Sequence, residues 1–111
     1  MGRSRNAKAE LKELLSEPEM ASILAAEVSF DPNYEYEEEP SHVLTLPMGF
    51  SAKEEQNLWA FLDRTYDAGW GSQKLFGTIW LQDGSWLTRG EYDGSEWWNH
   101  NKRPAIPRRK G

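Results

Sequence analysis

The chain has 111 residues, 38% of them hydrophobic and 28% charged, with a formal net charge of −5 and no cysteine. That length fits one domain with short tails, and the lack of cysteine excludes disulfides and thiolate metal sites. No run of about 18 apolar residues could span a membrane and no apolar leader core opens the chain, so a soluble, cytoplasmic protein is expected.

The charge is unevenly spread. Arg3, Arg5 and Lys8 make the start basic, and Lys102, Arg103, Arg108, Arg109 and Lys110 do the same for the end. Residues 9 to 101 hold all eighteen acids against five bases, a local charge of −13. Such a surface keeps a small protein soluble, or it competes for a basic groove on another macromolecule. Direct binding of nucleic acid by this body is disfavoured, because phosphate contacts need clustered Lys and Arg.

In chain order, Ala7, Leu11, Leu14 and Leu15 recur at helical spacing and predict a first helix. Ser16 and Glu19 then form a Ser-x-x-Glu capping box, with Pro18 in the first turn. This predicts a second helix burying Met20, Ile23, Leu24 and Val28; a single helix bent near Ser16 is the variant. Residues 1–30 thus read as an N-terminal helical arm. Pro32, Asn33 and Pro40 break the helical pattern, and Glu37, Glu38 and Glu39 repel one another, so residues 31–47 read as an acidic loop or linker. An edge strand through Tyr34 and Tyr36 is the alternative there, and "HVLTLP" can add a short strand beside the C-terminal sheet.

Residues 48–107 are expected to form the core, followed by a basic tail at 108–111. Ser51 and Glu54 make another capping box, and Leu58, Phe61, Leu62, Thr65 and Tyr66 form one apolar stripe, with Gly69 placed to end the helix. Asp83-Gly84 and Asp93-Gly94 each predict a two-residue hairpin turn. In that register Leu81 meets Trp86, Ile79 meets Thr88 and Gly77 meets Gly90; across the second turn Gly90 meets Trp97, Arg89 meets Trp98 and Glu91 meets Glu96. The fold class is therefore α+β: N-terminal helices plus an amphipathic helix packed on a three-stranded antiparallel meander.

Alternation assigns Leu75, Ile79, Leu81, Trp86, Tyr92 and Trp97 to the core face, with Trp97 covering strand glycines. Phe76, Trp80, Leu87, Arg89, Glu91, Glu96 and Trp98 fall on the opposite face with Thr78 and His100. Aromatic and Arg side chains dominate interface hot spots, so this second face is the candidate partner-binding surface. Arg89 is placed to stack on Trp98, and Glu91, Glu96, Glu37, Glu38 and Glu39 supply an acidic rim. The alternative is that the N-terminal helices cover these aromatics. Glu91 opposite Glu96 is unfavourable unless Arg89 or Lys102 neutralises the pair. Paired carboxylates near Asp93 and His100 suggest acid-base or metal chemistry only weakly, since no second histidine, phosphate loop or activated nucleophile accompanies them. No enzyme activity, cofactor or metal is expected.

The segment "YDAGWGSQKLFGTIWLQDGSWLTRGEYDGSEWW", followed by "RPAIP", resembles small uncharacterised proteins of tailed bacteriophages. It spans residues 66 to 107, and "EYDGSEWW" after "FGTIW" is its most specific part. The resemblance implies a phage origin and no settled activity, and no site residue is carried over from it. Combined with the surface reading, it points to a non-enzymatic, protein-binding accessory or host-takeover protein in the bacterial cytosol. Such a protein, a monomer or homodimer, would inhibit a host enzyme or defence complex by occluding its surface. A single-stranded nucleic-acid binder using the same aromatic face and the basic tails is the alternative.

Overall fold

The computed structural model describes residues 4–31, 42–69, 71–104, 107 and 109. In chain order these form β1 (Ser4–Asn6), α1 (Ala7–Leu15), β2 (Ile23–Phe30), β3 (Val43–Leu46), α2 (Ala52–Leu62), β4 (Thr65–Asp67), β5 (Leu75–Leu81), β6 (Trp86–Tyr92) and β7 (Ser95–Asn101). Strands β1 and β4 pair as a ribbon, and the other five make one antiparallel sheet in the order β3-β2-β5-β6-β7. The expected three-stranded meander under N-terminal helices is thus corrected: the fold is mostly sheet, with two short helices.

The largest correction lies at residues 16–30. Ser16 does not start a helix; it ends one, its N–H bonding back to the carbonyls of Lys12 and Glu13 and its hydroxyl donating to Glu13 O at 2.6 Å. Once α1 has stopped, the next apolar residues obey a different period. Ala26, Val28 and Phe30 are buried while Glu27 is exposed, which is the two-residue repeat of a half-buried strand. Ile, Val and Phe also favour strands. A register shift between Ile23 and Ala25 places an extra residue, Leu24, and this irregularity hides the alternation at the start of β2.

Helix α2 begins as its sequence predicts. The Ser51 hydroxyl accepts from Glu54 N–H at 3.1 Å, and the Glu54 carboxylate accepts from Ser51 N–H at 2.8 Å. It stops at Leu62, however, and Thr65 and Tyr66 leave the predicted apolar stripe to form β4 beside β1.

The two Asp-Gly turns differ. Asp93 and Gly94 both have positive φ, 53° and 90°, as a type I′ turn requires, and the register pairs Gly90 with Trp97, Arg89 with Trp98 and Glu91 with Glu96 as expected. At the first turn Gly84 N–H bonds to Leu81 O and Leu81 N–H to Ser85 O, which makes a three-residue loop with Gly84 as its left-handed residue, φ 87°. Ile79 therefore faces Leu87, not Thr88, and Trp80 faces Trp86. One residue of slip exchanges the two faces of β6 and β7 relative to β5.

The core follows from that register. Leu46, Ala26, Val28, Phe30, Leu75, Ile79, Leu81 and Leu87 share one face of the sheet and pack with Ala7 and Leu11 of α1, Leu58 and Leu62 of α2, and Tyr66 of β4. Gly77 lies on this face opposite Val28; a methyl group there would sit 2.5 Å from Glu27 O, so only glycine lets β2 and β5 approach. Helices and ribbon cover one side of the sheet. No helix among the described residues is long and apolar enough to cross a membrane.

Candidate functional site

Two regions draw on the residues singled out above, and they lie on opposite sides of the sheet. On the uncovered side, alternation collects Phe76 and Trp80 of β5, Trp86 and Tyr92 of β6, and Trp97 of β7. Phe76 is 41% exposed, Trp80 43%, Trp97 38% and Tyr92 77%. Val43 of β3, also exposed, extends this surface to the far edge. Trp80 and Trp86 stand directly across from each other, close enough for side-chain contact. The Trp97 indole lies over Gly90, where an added methyl would meet the ring at 2.5 Å, and its N–H donates to Asn99 Oδ1 at 2.9 Å. Covering of a strand glycine by Trp97 is thus present, but on the open face. Across β2, β5, β6 and β7 the strand positions of this face hold one charged residue, Glu27.

The covered side holds a buried ionic cluster. The Arg89 side chain is 2% exposed and that of Glu96 is fully buried, with Arg89 Nη2 3.0 Å from Glu96 Oε1. Glu96 also accepts the backbone N–H groups of Lys74 and Leu75, at 2.7 and 3.1 Å. Arg89 further donates to Tyr66 Oη at 3.0 Å and to Leu75 O at 3.2 Å, and it reaches Glu10 Oε2 at 3.5 Å. Tyr66 donates its hydroxyl proton to Glu10 Oε1 at 2.5 Å. Burial, reinforced by that hydrogen bond to a carboxylate, pushes the Tyr66 phenol well above its ordinary range. The Arg89 guanidinium sits over the Trp98 ring at 4.8 Å, the stacking expected from their cross-strand pairing. It also neutralises the Glu91–Glu96 pair from the Glu96 side. The charged groups and the Tyr66 hydroxyl pair with one another, while the buried Trp98 Nε1 finds no hydrogen-bond partner among the described residues; the cluster is a structural node that ties α1, β4, β6 and β7 together.

The predicted site is therefore divided. Phe76 and Trp80 remain on the open face. Leu87 and Glu96 are buried, Arg89 is enclosed by the cluster and Trp98 packs against the core. Glu91 is exposed and accepts Gly94 N–H at 3.1 Å. Glu37, Glu38 and Glu39 lie outside the described residues. In place of the inward-turned residues the open face gains Trp86, Tyr92 and Trp97, all three read as core from the one-residue register error. The sequence reading also missed Glu10 and Tyr66, whose signal is weak: Arg89 is the one base between Lys74 and Lys102, and it needed a buried acid.

Elsewhere, Asp83 in the first hairpin loop accepts the Ser85 hydroxyl and N–H, and these bonds hold its carboxyl below the usual range. A groove of about 490 Å³ lies between the end of α1, α2 and the start of β2, walled by Leu15, Met20, Phe50 and Trp59. Among the described residues no cluster of three or more His, Asp or Glu side chains could hold a metal ion. Comparison with known protein families, curated proteins and solved structures returns no match.

Proposed function

We propose that this chain is a non-enzymatic protein-binding factor that docks a partner on the open face of its sheet. The observation that carries the reading is the composition of that face: Phe76, Trp80, Tyr92 and Trp97 are all partly exposed, with Glu27 the one charge among the strand positions around them. Interface centres are enriched in aromatic residues and depleted of charge, and a soluble monomer rarely leaves such surface contiguous and open. Glu91 lies by alternation on the covered side of the sheet with Leu87 and Arg89, so it stands apart from this face.

The resemblance of residues 66 to 107 to small tailed-phage proteins supports a phage accessory or host-takeover role in the bacterial cytosol. Occluding the surface of a host enzyme or defence complex is the mechanism that fits a protein-binding face without a reactive centre. Base stacking by the same aromatics is the competing reading, but no Lys or Arg lies among these strand positions to meet phosphates. A tagged chain expressed in bacteria tests the proposal. It should retain one dominant protein, and Trp80→Ala should release it while Glu91→Gln, on the other side of the sheet, leaves it bound. Retention of single-stranded oligonucleotide instead, lost steeply with salt, would replace this reading with nucleic-acid binding.

A further inference from the structure

We propose that the outer edge of β7 accepts an extended, basic segment of a partner protein as a sixth strand, with its Lys or Arg side chains entering a cleft between β7 and α1. The inference deepens the protein-binding reading, since it supposes a protein partner, but it uses the sheet edge rather than the open face.

Among the described residues no strand pairs with β7 past Glu96 on its outer side. β7 ends the sheet, and its start already pairs outward: Glu96 N–H donates to Ala68 O at 3.1 Å, and Ser95 bridges Gly69. In an antiparallel strand backbone groups two residues apart point the same way. The backbones of Trp98 and His100 therefore continue that outward row, and among the described residues no backbone group pairs with them. Natural edges are usually blunted by Pro, Lys or a bulge. β7 has none of these from Ser95 to Asn101, and its register with β6 is unbroken. The opposite edge, β3, is four residues long and is followed by Pro47.

The charge beside the edge selects the occupant. A cleft of about 190 Å³ is lined by Trp97 and Trp98, by Glu10, Glu13 and Leu14 of α1, by Glu17 just past the end of that helix, and by Arg5. Glu10 is occupied by Arg5, Arg89 and Tyr66. Glu13 and Glu17 have no ion-pair partner among the described residues. Both carboxylates line the cleft, Glu13 from α1 and Glu17 from the turn after its Ser16 cap, and a cation between them offsets their like-charge repulsion. Strand addition supplies affinity through main-chain hydrogen bonds and specificity through alternate side chains. Here that specificity is for Lys or Arg.

A capped decapeptide of alternating Lys and Thr is the probe, with a Glu-Thr peptide as control. The Lys-Thr peptide should bind at low salt and slow amide hydrogen exchange at Trp98 and His100. Glu13→Gln with Glu17→Gln should weaken binding about tenfold, as removal of complementary charge does. His100→Pro removes an outward N–H that no described backbone group uses, so it should abolish binding, while His100→Ala should retain it. The proposal fails if the Lys-Thr peptide does not bind, if it protects other amides, or if folded His100→Pro binds as well as the parent. Should His100→Pro not fold, the exchange pattern at Trp98 and His100 in the parent protein decides. Trp80→Ala should leave peptide binding intact, so the edge and the open face are tested separately.

Discussion

Arg89 carries a positive charge into a site that water does not reach, and it is tolerated because Glu96, Glu10, Tyr66 and Leu75 O all face it. Removing one member of such a buried pair strands the other, so Arg89→Met should cost about 3–5 kcal/mol in chemical denaturation. Tyr66 adds a pH dependence with a definite sign. Its raised folded pKa means that the native state keeps a proton which the unfolded chain loses above the ordinary value of 10.0. The stabilisation is complete below that pH and declines as pH rises through it. The stability gap between the parent and Tyr66→Phe should therefore be constant from neutral pH to about 9 and narrow above 10, as read by denaturant midpoints. The adjacent tryptophans give the third residue-scale test. Trp98→Ala empties space against the core beneath Arg89 and should cost about 3 kcal/mol, while Trp97→Ala uncovers Gly90 on the open face and should cost about 1 kcal/mol.

At the scale of elements, stability rests on β2 and β5 at the centre of the sheet, and at Gly77 the backbone of β2 leaves no room for a side chain. Gly77→Ala would force a methyl into Glu27 O at a φ of 150°, so it should cost about 3 kcal/mol or more and expose the β2 amides to exchange. The same elements show what the sequence disclosed. The Ser51–Glu54 capping box and the Asp93-Gly94 turn were legible because each is a local chemical device that works without tertiary help. The Asp83-Gly84 turn was not, because an Asp-Gly pair serves equally as the centre of a two-residue turn or as the end of a three-residue loop. The bonds from Gly84 N–H to Leu81 O and from Leu81 N–H to Ser85 O decide between them. That single ambiguity exchanged the roles of Trp97 and Trp98 and moved Arg89 from surface to interior. β2 was missed for another reason: its irregular start blurs the strand period, and Ser16 serves helix starts and helix ends alike.

For the molecule as a whole, the sheet separates two tasks. One face is filled by the helices, the ribbon and the Arg89 cluster; the other presents aromatic side chains within a body whose formal charge is strongly negative. The central claim is that this second face binds and contributes little to folding, since Tyr92 is largely solvated and Trp80 is 43% exposed. The most direct test is the dissociation constant of the Trp80→Ala/Tyr92→Ala double variant for the captured partner, measured beside its melting temperature. A weakening of about 2 kcal/mol or more, with the melting temperature within about 3 °C of the parent, is the result expected of interface anchors. Unchanged affinity, or loss of the folded state, would contradict it.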